Sequence, residues 1–194
     1  MPRVFIVHGW GGNPNEPMLF HLRKELESRG VLVFAPAMPH SNAPKIIPWV
    51  QALRDAVKTP DAQTFFVGHS IGCQTILRYL ETLSSKTKVG GIVLIAPWMH
   101  LDENTLKEEG EESARIAAPW METPLDFEKV KARLSHRAFC QFSDNDPYVP
   151  LSDVALFKQK LGAETLVEKG KGHFSPSDHY NENPVALEKL REMF

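Results

Sequence analysis

Residues 64–72 have the sequence Thr-Phe-Phe-Val-Gly-His-Ser-Ile-Gly, in which an apolar run leads directly into the pattern G-x-S-x-G. The apolar run predicts a buried strand, and Ile76, Leu80 and Leu83 then follow at the spacing of an amphipathic helix. A serine on a sharp turn between a strand and a helix is exposed in a strained conformation, and flanking glycines remove the clashes of that turn. The stretch therefore predicts a nucleophile elbow with Ser70 as the nucleophile.

The loop after the first apolar run is rich in glycine and lies, in such a fold, beside the elbow. It consists of His8-Gly9-Trp10-Gly11-Gly12. An amide of this loop and the amide of the residue after the nucleophile can together bind a developing oxyanion, so Trp10 and Ile71 are the expected donors. A dinucleotide site is the alternative, but the loop does not have the G-x-G-x-x-G spacing that such a site needs.

Short apolar runs alternate with amphipathic stretches along the whole chain. Strands that are apolar on both faces and separated by helices predict a doubly wound, mostly parallel sheet in a single α/β domain, residues 1–194. The right-handed crossover rule favours a strand order of 2-1-3-4-5-6. The predicted strands are residues 4–7, 31–34, 64–67, 92–95, 138–142 and 165–167, and the clearest helices are 18–29, 46–57, 152–161 and 184–194.

The segment 97–137, which has 41 residues and lies between the fourth and fifth predicted strands, breaks this alternation. A segment this long in a compact domain is usually a lid or another binding element, and a solvated charged helix is the alternative for its acidic middle. Large apolar residues in the loops expected at the mouth of the site are candidates for a narrow substrate pocket that favours short acyl chains. They are Trp98, Met99, Trp120, Met121 and Phe174, with Trp10 beside them.

A serine nucleophile needs a base that is oriented by an acid, and in the elbow architecture these follow in the order serine, acid, histidine. Asp144 and Asp146 both follow the fifth predicted strand. Pro147 biases the preceding residue toward an extended conformation, which favours Asp146 as the acid, while Asp144 is expected to cap the turn through bonds to its own backbone.

The base is expected in the loop after the last strand, where Gly172-His173-Phe174 lies. His179 is a rival six residues further on, and His40 is a weaker rival after the second strand. The sequence therefore predicts a catalytic triad of Ser70, His173 and Asp146.

The composition excludes several other classes of function. The 22 Lys and Arg residues against 24 Asp and Glu give a net charge of −2, and no basic cluster is present, so nucleic acid is not an expected partner. Two cysteines, Cys73 and Cys140, are too few for a disulfide framework or a zinc site, and no metal or cofactor is expected. No run of 18 apolar residues and no signal peptide is recognised, so a cytoplasmic protein with a small-molecule substrate is expected.

The chain resembles a small α/β-hydrolase, and more closely the retinoblastoma-binding-protein-nine group of small serine hydrolases. The resemblance spans nearly the whole chain and implies a minimal α/β-hydrolase sheet with Ser70, Asp146 and His173 as catalytic residues. The L-x-C-x-E motif for the retinoblastoma protein is absent around both cysteines, so that partner is not expected. The matching pieces are the Gly-rich loop, Gly68–Gly72, Ala96-Pro97, residues 127–131, 143–150 and 172–174.

These observations favour hydrolysis of a small ester, thioester or amide through an acyl-enzyme. Because a fold does not establish a function, a protein-interaction module that kept the fold is the alternative from another class. An acyl transferase or perhydrolase would use the same residues with a different acceptor, and the sequence does not separate it from a hydrolase.

Overall fold

The computed structural model describes residues 1–136 and 138–194 and contains a six-stranded parallel sheet with the order β2-β1-β3-β4-β5-β6. This is the predicted order, and it confirms the doubly wound α/β fold. The strands are β1 (Arg3–Val7), β2 (Leu32–Phe34), β3 (Thr64–His69), β4 (Gly91–Ile95), β5 (Ala138–Ser143) and β6 (Glu164–Glu168).

Helices connect the consecutive strands, as parallel pairing requires. Helices α1 and α8 pack against each other, whereas α2, α3 and α6 form a continuous second layer. The helices are α1 (Pro17–Glu27), α2 (Ile46–Val57), α3 (Ile71–Glu81), α4 (Glu103–Glu109), α5 (Glu111–Glu122), α6 (Phe127–Lys131), α7 (Ser152–Leu156) and α8 (Pro184–Arg191). The predicted helix 152–161 is in fact α7 followed by a π-helical turn, Phe157–Leu161.

The central strands are buried along their whole length, as their continuous apolar sequences predict. The two edge strands are different. Leu32 and Phe34 in β2, and Leu166 and Val167 in β6, are each more than a third exposed. The apolar sequences of β2 and β6 therefore predict a strand but not full burial, because an edge strand has a neighbouring strand on one side only.

The segment 97–137 forms α4, α5 and α6, and its last residue, Arg137, lies outside the described residues. Helices α4 and α5 meet at Gly110, whose φ of 93° is accessible to glycine and strained for other residues. The segment leaves the sheet at the carboxyl end of β4, next to the carboxyl ends of β3 and β5. No helix among the described residues is long and apolar enough to cross a membrane.

Candidate active site

Ser70 occupies a sharp turn between β3 and α3. Its φ of 54° and ψ of −124° lie in a region that costs an L-residue energy, and its amide donates to the carbonyl oxygen of Ile95 at 2.9 Å. The hydroxyl is thus presented at the carboxyl edge of the sheet, where the parallel strands end. This is the geometry that the elbow pattern predicts.

The glycines on either side of the elbow permit two close backbone approaches. A Cβ on Gly68 would lie 2.7 Å from the amide nitrogen of Cys73, inside the first turn of α3. A Cβ on Gly72 would lie 2.4 Å from the carbonyl oxygen of Val7 in β1. Both are distances that real Cβ atoms do not adopt, so any larger residue would push α3 away from the sheet.

His173 and Asp146 form a close pair. Nδ1 of His173 lies 2.8 Å from Oδ2 of Asp146, and the two side chains are 13% and 2% exposed. The other carboxylate oxygen, Oδ1, accepts the amides of Tyr148 at 2.9 Å and Val149 at 3.1 Å. Because Asp146 is held on both oxygens, it fixes the plane of the imidazole and requires that Nδ1 carries the proton.

The two loops that carry this pair are joined by a ladder of side-chain bonds, formed by residues 143–146 at the end of β5 and residues 170–173 after β6. The side chain of Asp144 accepts a hydrogen bond from the amide of Gly170 at 2.8 Å. The side chain of Ser143 accepts one from the amide of Lys171 at 2.9 Å, and that of Asn145 accepts one from the amide of Gly172 at 2.8 Å. The bond between Asp146 and His173 is the fourth rung. The position of the histidine is therefore fixed by its whole loop.

Asp178 holds the turn on the other side of His173. Its carboxylate accepts the amides of His173 at 2.9 Å and Ser175 at 3.0 Å, together with the hydroxyl of Ser175. Partial burial opposes ionisation, but these bonds from Ser175 and His173 hold the pKa of Asp178 below its usual range. The rival base, His179, lies exposed beyond this turn and does not line the cleft.

The expected oxyanion donors lie on adjoining elements beside Ser70. Ile71 is the first residue of α3, so its amide has no acceptor inside the helix. The amide of Trp10 also has no acceptor within the described part of the chain. Its loop is held in place because Gly11 donates to the carbonyl oxygen of Ser41 at 2.8 Å and the Trp10 indole donates to that of Asn42 at 3.0 Å.

A cleft of about 340 Å³ opens over these groups. Ser70, His173 and Trp10 line it, and helices α4 and α5 contribute Leu106, Glu109 and Ser113 to its wall. The inserted segment thus covers the cleft. The remaining lining residues are Gly9, Glu16, His69, Trp98, Leu101, Tyr148, Ser175, Pro176 and Ser177.

The predicted pocket residues divide into two groups. Trp98 lines the cleft, whereas Met99, Trp120, Met121 and Phe174 do not. The expectation for these four needs correction, because their side chains pack into or against the core and not toward the cleft.

Each of the four lies elsewhere for a visible reason. Trp120 turns into the core, with its indole donating to the carbonyl oxygen of Pro44 at 3.1 Å. Phe174 has a φ of 54°, which turns its fully buried ring inward against Tyr180. Met99 is buried beneath its loop, and Met121 packs on the outside of the core.

The cleft is acidic. Glu16 and Glu109 line it, and no Lys or Arg is found among its described lining residues. Burial raises the pKa of Glu16, against the opposing effects of the Asn13 backbone and of His173. Tyr148, whose hydroxyl lies 3.3 Å from Oε1 of Glu109, has its pKa raised by burial and by that carboxylate.

Several functional residues escaped sequence reasoning. Tyr148 stacks edge-on against His173 at 5.0 Å, and Ser143 and Asn145 form rungs of the ladder. The sequence does contain one indication of Ser143 and Asn145, because the unbroken polar run 143–146 directly follows an apolar run that predicts a strand. No local pattern marked Glu16, because it reaches the cleft only through the fold of the loop after β1.

Comparison with known proteins gives a family for this arrangement. The family model described as serine hydrolase matches residues 4–192. YdeN of Bacillus subtilis is 26% identical over 192 residues, which cover 99% of this chain and 96% of YdeN. The serine hydrolase RBBP9 of Rattus norvegicus is also 26% identical, over 90% of this chain and 82% of its own length.

Solved structures agree with the fold. The crystal structure of the ydeN gene product from B. subtilis superposes with a TM-score of 0.88 at 25% identity, covering 100% of this chain and 99% of that one. Est1E from Butyrivibrio proteoclasticus, with ferulic acid bound, superposes with a TM-score of 0.70 at 14% identity, over 100% of this chain and 89% of its own. The second match is evidence for the shared fold alone.

Proposed function

Because the chain belongs to the serine hydrolase family, we propose that it hydrolyses small esters, or related thioesters and amides, through an acyl-enzyme on Ser70. The observation that carries the proposal is the 2.8 Å bond between His173 and Asp146, in a cleft that Ser70 also lines from a strained elbow. A base that is held by a buried acid and shares a cleft with a serine is the arrangement that activates a hydroxyl.

The proposed reaction has two halves. In the first, Ser70 Oγ attacks the acyl carbonyl carbon while Nε2 of His173 takes its proton and then gives it to the leaving group. In the second, water attacks the acyl-enzyme, and His173 takes the proton of the water and returns it to Oγ. Asp146 keeps the proton on Nδ1 and stabilises the imidazolium in both halves, and the amides of Trp10 and Ile71 bind the oxyanion.

The proposed substrates are small and neutral. A cleft of about 340 Å³ under α4 and α5 supports short acyl groups. The same machinery would serve an acyl transferase, in which another nucleophile replaces water in the second half. A cytoplasmic location and the lack of a nucleic-acid partner remain part of this proposal, since the near-neutral charge favours neither a membrane surface nor nucleic acid.

A fluorophosphonate probe tests the proposal directly. The wild-type protein should gain one phosphonyl adduct, measured by intact mass, and Ser70→Ala should gain none while keeping its melting temperature. His173→Ala should lower the labelling rate by several orders of magnitude. His179→Ala is the matched control, because its side chain lies outside the cleft. A folded wild-type protein that takes no label would favour the interaction-module alternative.

A further inference from the structure

The loop after β4 brings one polar atom to the nucleophile. Trp98 is 1% exposed, and its indole Nε1 lies 3.4 Å from Oγ of Ser70. The turn that aims it begins at Ala96, which has a φ of 48° and whose amide donates to the carbonyl oxygen of Gln141 at 2.8 Å. Trp98 is therefore more than an apolar wall, because it presents an N–H to the reacting oxygen.

A buried carboxylate holds this loop. Asp153, in α7, is completely buried, and its Oδ2 accepts the amides of Met99 at 2.6 Å and His100 at 3.0 Å. Its Oδ1 lies 2.6 Å from Nδ1 of His100, whose side chain is 62% exposed. A carboxylate with three N–H partners is a strong, directional anchor. It fixes the backbone immediately after Trp98.

The same loop is also tied to the turn that carries Asp146. The amide of Asp102 donates to the carbonyl oxygen of Tyr148 at 2.8 Å, and the hydroxyl of Thr105 donates to that of Pro147. The position of Trp98 is thus coupled to α7 and to the turn of the acid, and not only to its own strand. Nothing in the proposed triad mechanism uses Asp153.

The indole has one consequence for the proton of Ser70. A tryptophan N–H only donates, whereas a serine hydroxyl has one hydrogen and two lone pairs. Because the Trp98 N–H donates to one lone pair of Ser70 Oγ, the hydroxyl hydrogen of Ser70 is free to point to His173. The N–H stays in place when that hydrogen leaves, so it also stabilises negative charge that develops on Oγ.

We propose that Trp98 is a further catalytic residue and that Asp153 is the positioning residue that holds it, an inference that rests on the proposed function of Ser70. In acylation, the Oγ proton passes to Nε2 of His173 as the bond from Oγ to carbon forms. In deacylation, the bond from carbon to Oγ breaks, Oγ keeps the electron pair and then accepts the proton from His173. Trp98 donates to Oγ throughout both steps.

Trp98→Phe tests the inference, because it removes the N–H and keeps an aromatic ring. Losing one neutral hydrogen bond should lower the rate constant of fluorophosphonate labelling about 2- to 10-fold. The kcat for nitrophenyl acetate and for nitrophenyl butyrate should fall by the same factor. Trp120→Phe is the matched control, since it removes an equally buried indole N–H that bonds to Pro44 and should label at the wild-type rate.

Three outcomes are distinguishable. No labelling of the wild-type protein would overturn the proposed function itself. Labelling of Trp98→Phe at the wild-type rate would leave that function standing and overturn the role of Trp98. A loss confined to KM that changes with acyl length would also overturn it, because the indole would then act only as a wall of the cleft.

Asp153→Asn tests the positioning role. If Asp153 acts through Trp98, the substitution should slow labelling in the wild-type background and add nothing in the Trp98→Phe background. Equal slowing in both backgrounds would overturn the role. Should Asp153→Asn fail to fold in thermal melts, His100→Ala replaces it in the same cycle, because it removes only the side-chain donor to Asp153.

Discussion

Nε2 of His69 lies 2.8 Å from the carbonyl oxygen of His173. Since a carbonyl oxygen only accepts, Nε2 must carry the proton, and the buried Nδ1 has no partner among the described residues. Burial, reinforced by the nearby His173, lowers the pKa of His69 from 6.5 to about 4. The residue before the nucleophile is therefore a neutral imidazole that holds the backbone of the proposed base.

This relationship predicts loss of stability in mild acid. In the unfolded chain the pKa of His69 returns to about 6.5, so between about pH 6.5 and 4 the unfolded state binds more protons than the folded state. Stability must then fall as the pH falls through this range, by up to about 3 kcal/mol from His69 alone. Urea unfolding at pH 7.5 and pH 5 measures the difference.

His69→Gln keeps a donor for the carbonyl oxygen of His173 and does not titrate. The variant should therefore lose less stability than the wild-type protein between pH 7.5 and pH 5. An unchanged difference would assign the acid sensitivity to other groups, among them His8, whose pKa burial also lowers.

A second prediction separates the two acidic residues after β5. Asp146→Asn should fold normally and lose about 10⁴-fold in kcat, because the amide no longer holds the proton on Nδ1 of His173. Asp144→Asn is the matched control. It should stay active, since an amide oxygen can still accept the amide of Gly170. Steady-state rates on nitrophenyl acetate, with melting temperatures beside them, measure both, and the reverse pattern would make Asp144 the acid.

A third prediction concerns acyl chain length. Leu106 from α4 lines this small cleft, so kcat/KM should be highest for acetyl to butyryl esters and should fall for octanoyl. Leu106→Ala should raise the ratio of octanoyl to acetyl activity. Met121→Ala should leave that ratio unchanged, because Met121 does not line the cleft. A lipase-like increase with chain length in the wild-type protein would contradict this account.

A fourth prediction concerns substrate charge. Glu16 and Glu109 line the cleft without a described basic residue beside them, so an acyl chain that ends in a carboxylate should react poorly. At pH 8, Glu16→Gln with Glu109→Gln should raise the ratio of kcat/KM for nitrophenyl hemisuccinate over nitrophenyl acetate roughly 3- to 10-fold.

Glu112→Gln is the control for this fourth prediction. Glu112 is exposed on the same inserted segment but does not line the cleft, so its loss should not move the ratio. An equal change in Glu112→Gln would assign the effect to the general charge of the segment.

The topology and the catalytic candidates were accessible from the sequence because both follow from periodic or local patterns. Apolar runs between helices imply parallel strands, and parallel strands bring their carboxyl ends to one edge. That edge joins Ser70, Asp146 and His173 although they are far apart in the chain. The pocket walls were less accessible, since an apolar residue such as Trp120 serves a core or a cleft equally well.

Detailed hydrogen bonding was also beyond sequence reasoning. The bonds to nearby backbone amides that were expected of Asp144 are made by Asp146, whose carboxylate accepts hydrogen bonds from the amides of Tyr148 and Val149. Asp144 instead reaches across to Gly170 in the next loop. Such choices depend on a loop that is remote in sequence, so the turn-capping preference of aspartate did not show which of the two would bond to the nearby amides.

The ladder between residues 143–146 and 170–173 restricts where the chain can change length. The stretch between the two runs, which holds α7 and β6, can gain or lose surface residues at little entropic cost. One residue added within 170–172 would shift every later rung and move His173 away from Asp146, although the sheet itself would be intact. Insertions and deletions in related chains should therefore avoid these two four-residue runs and collect in the stretch between them.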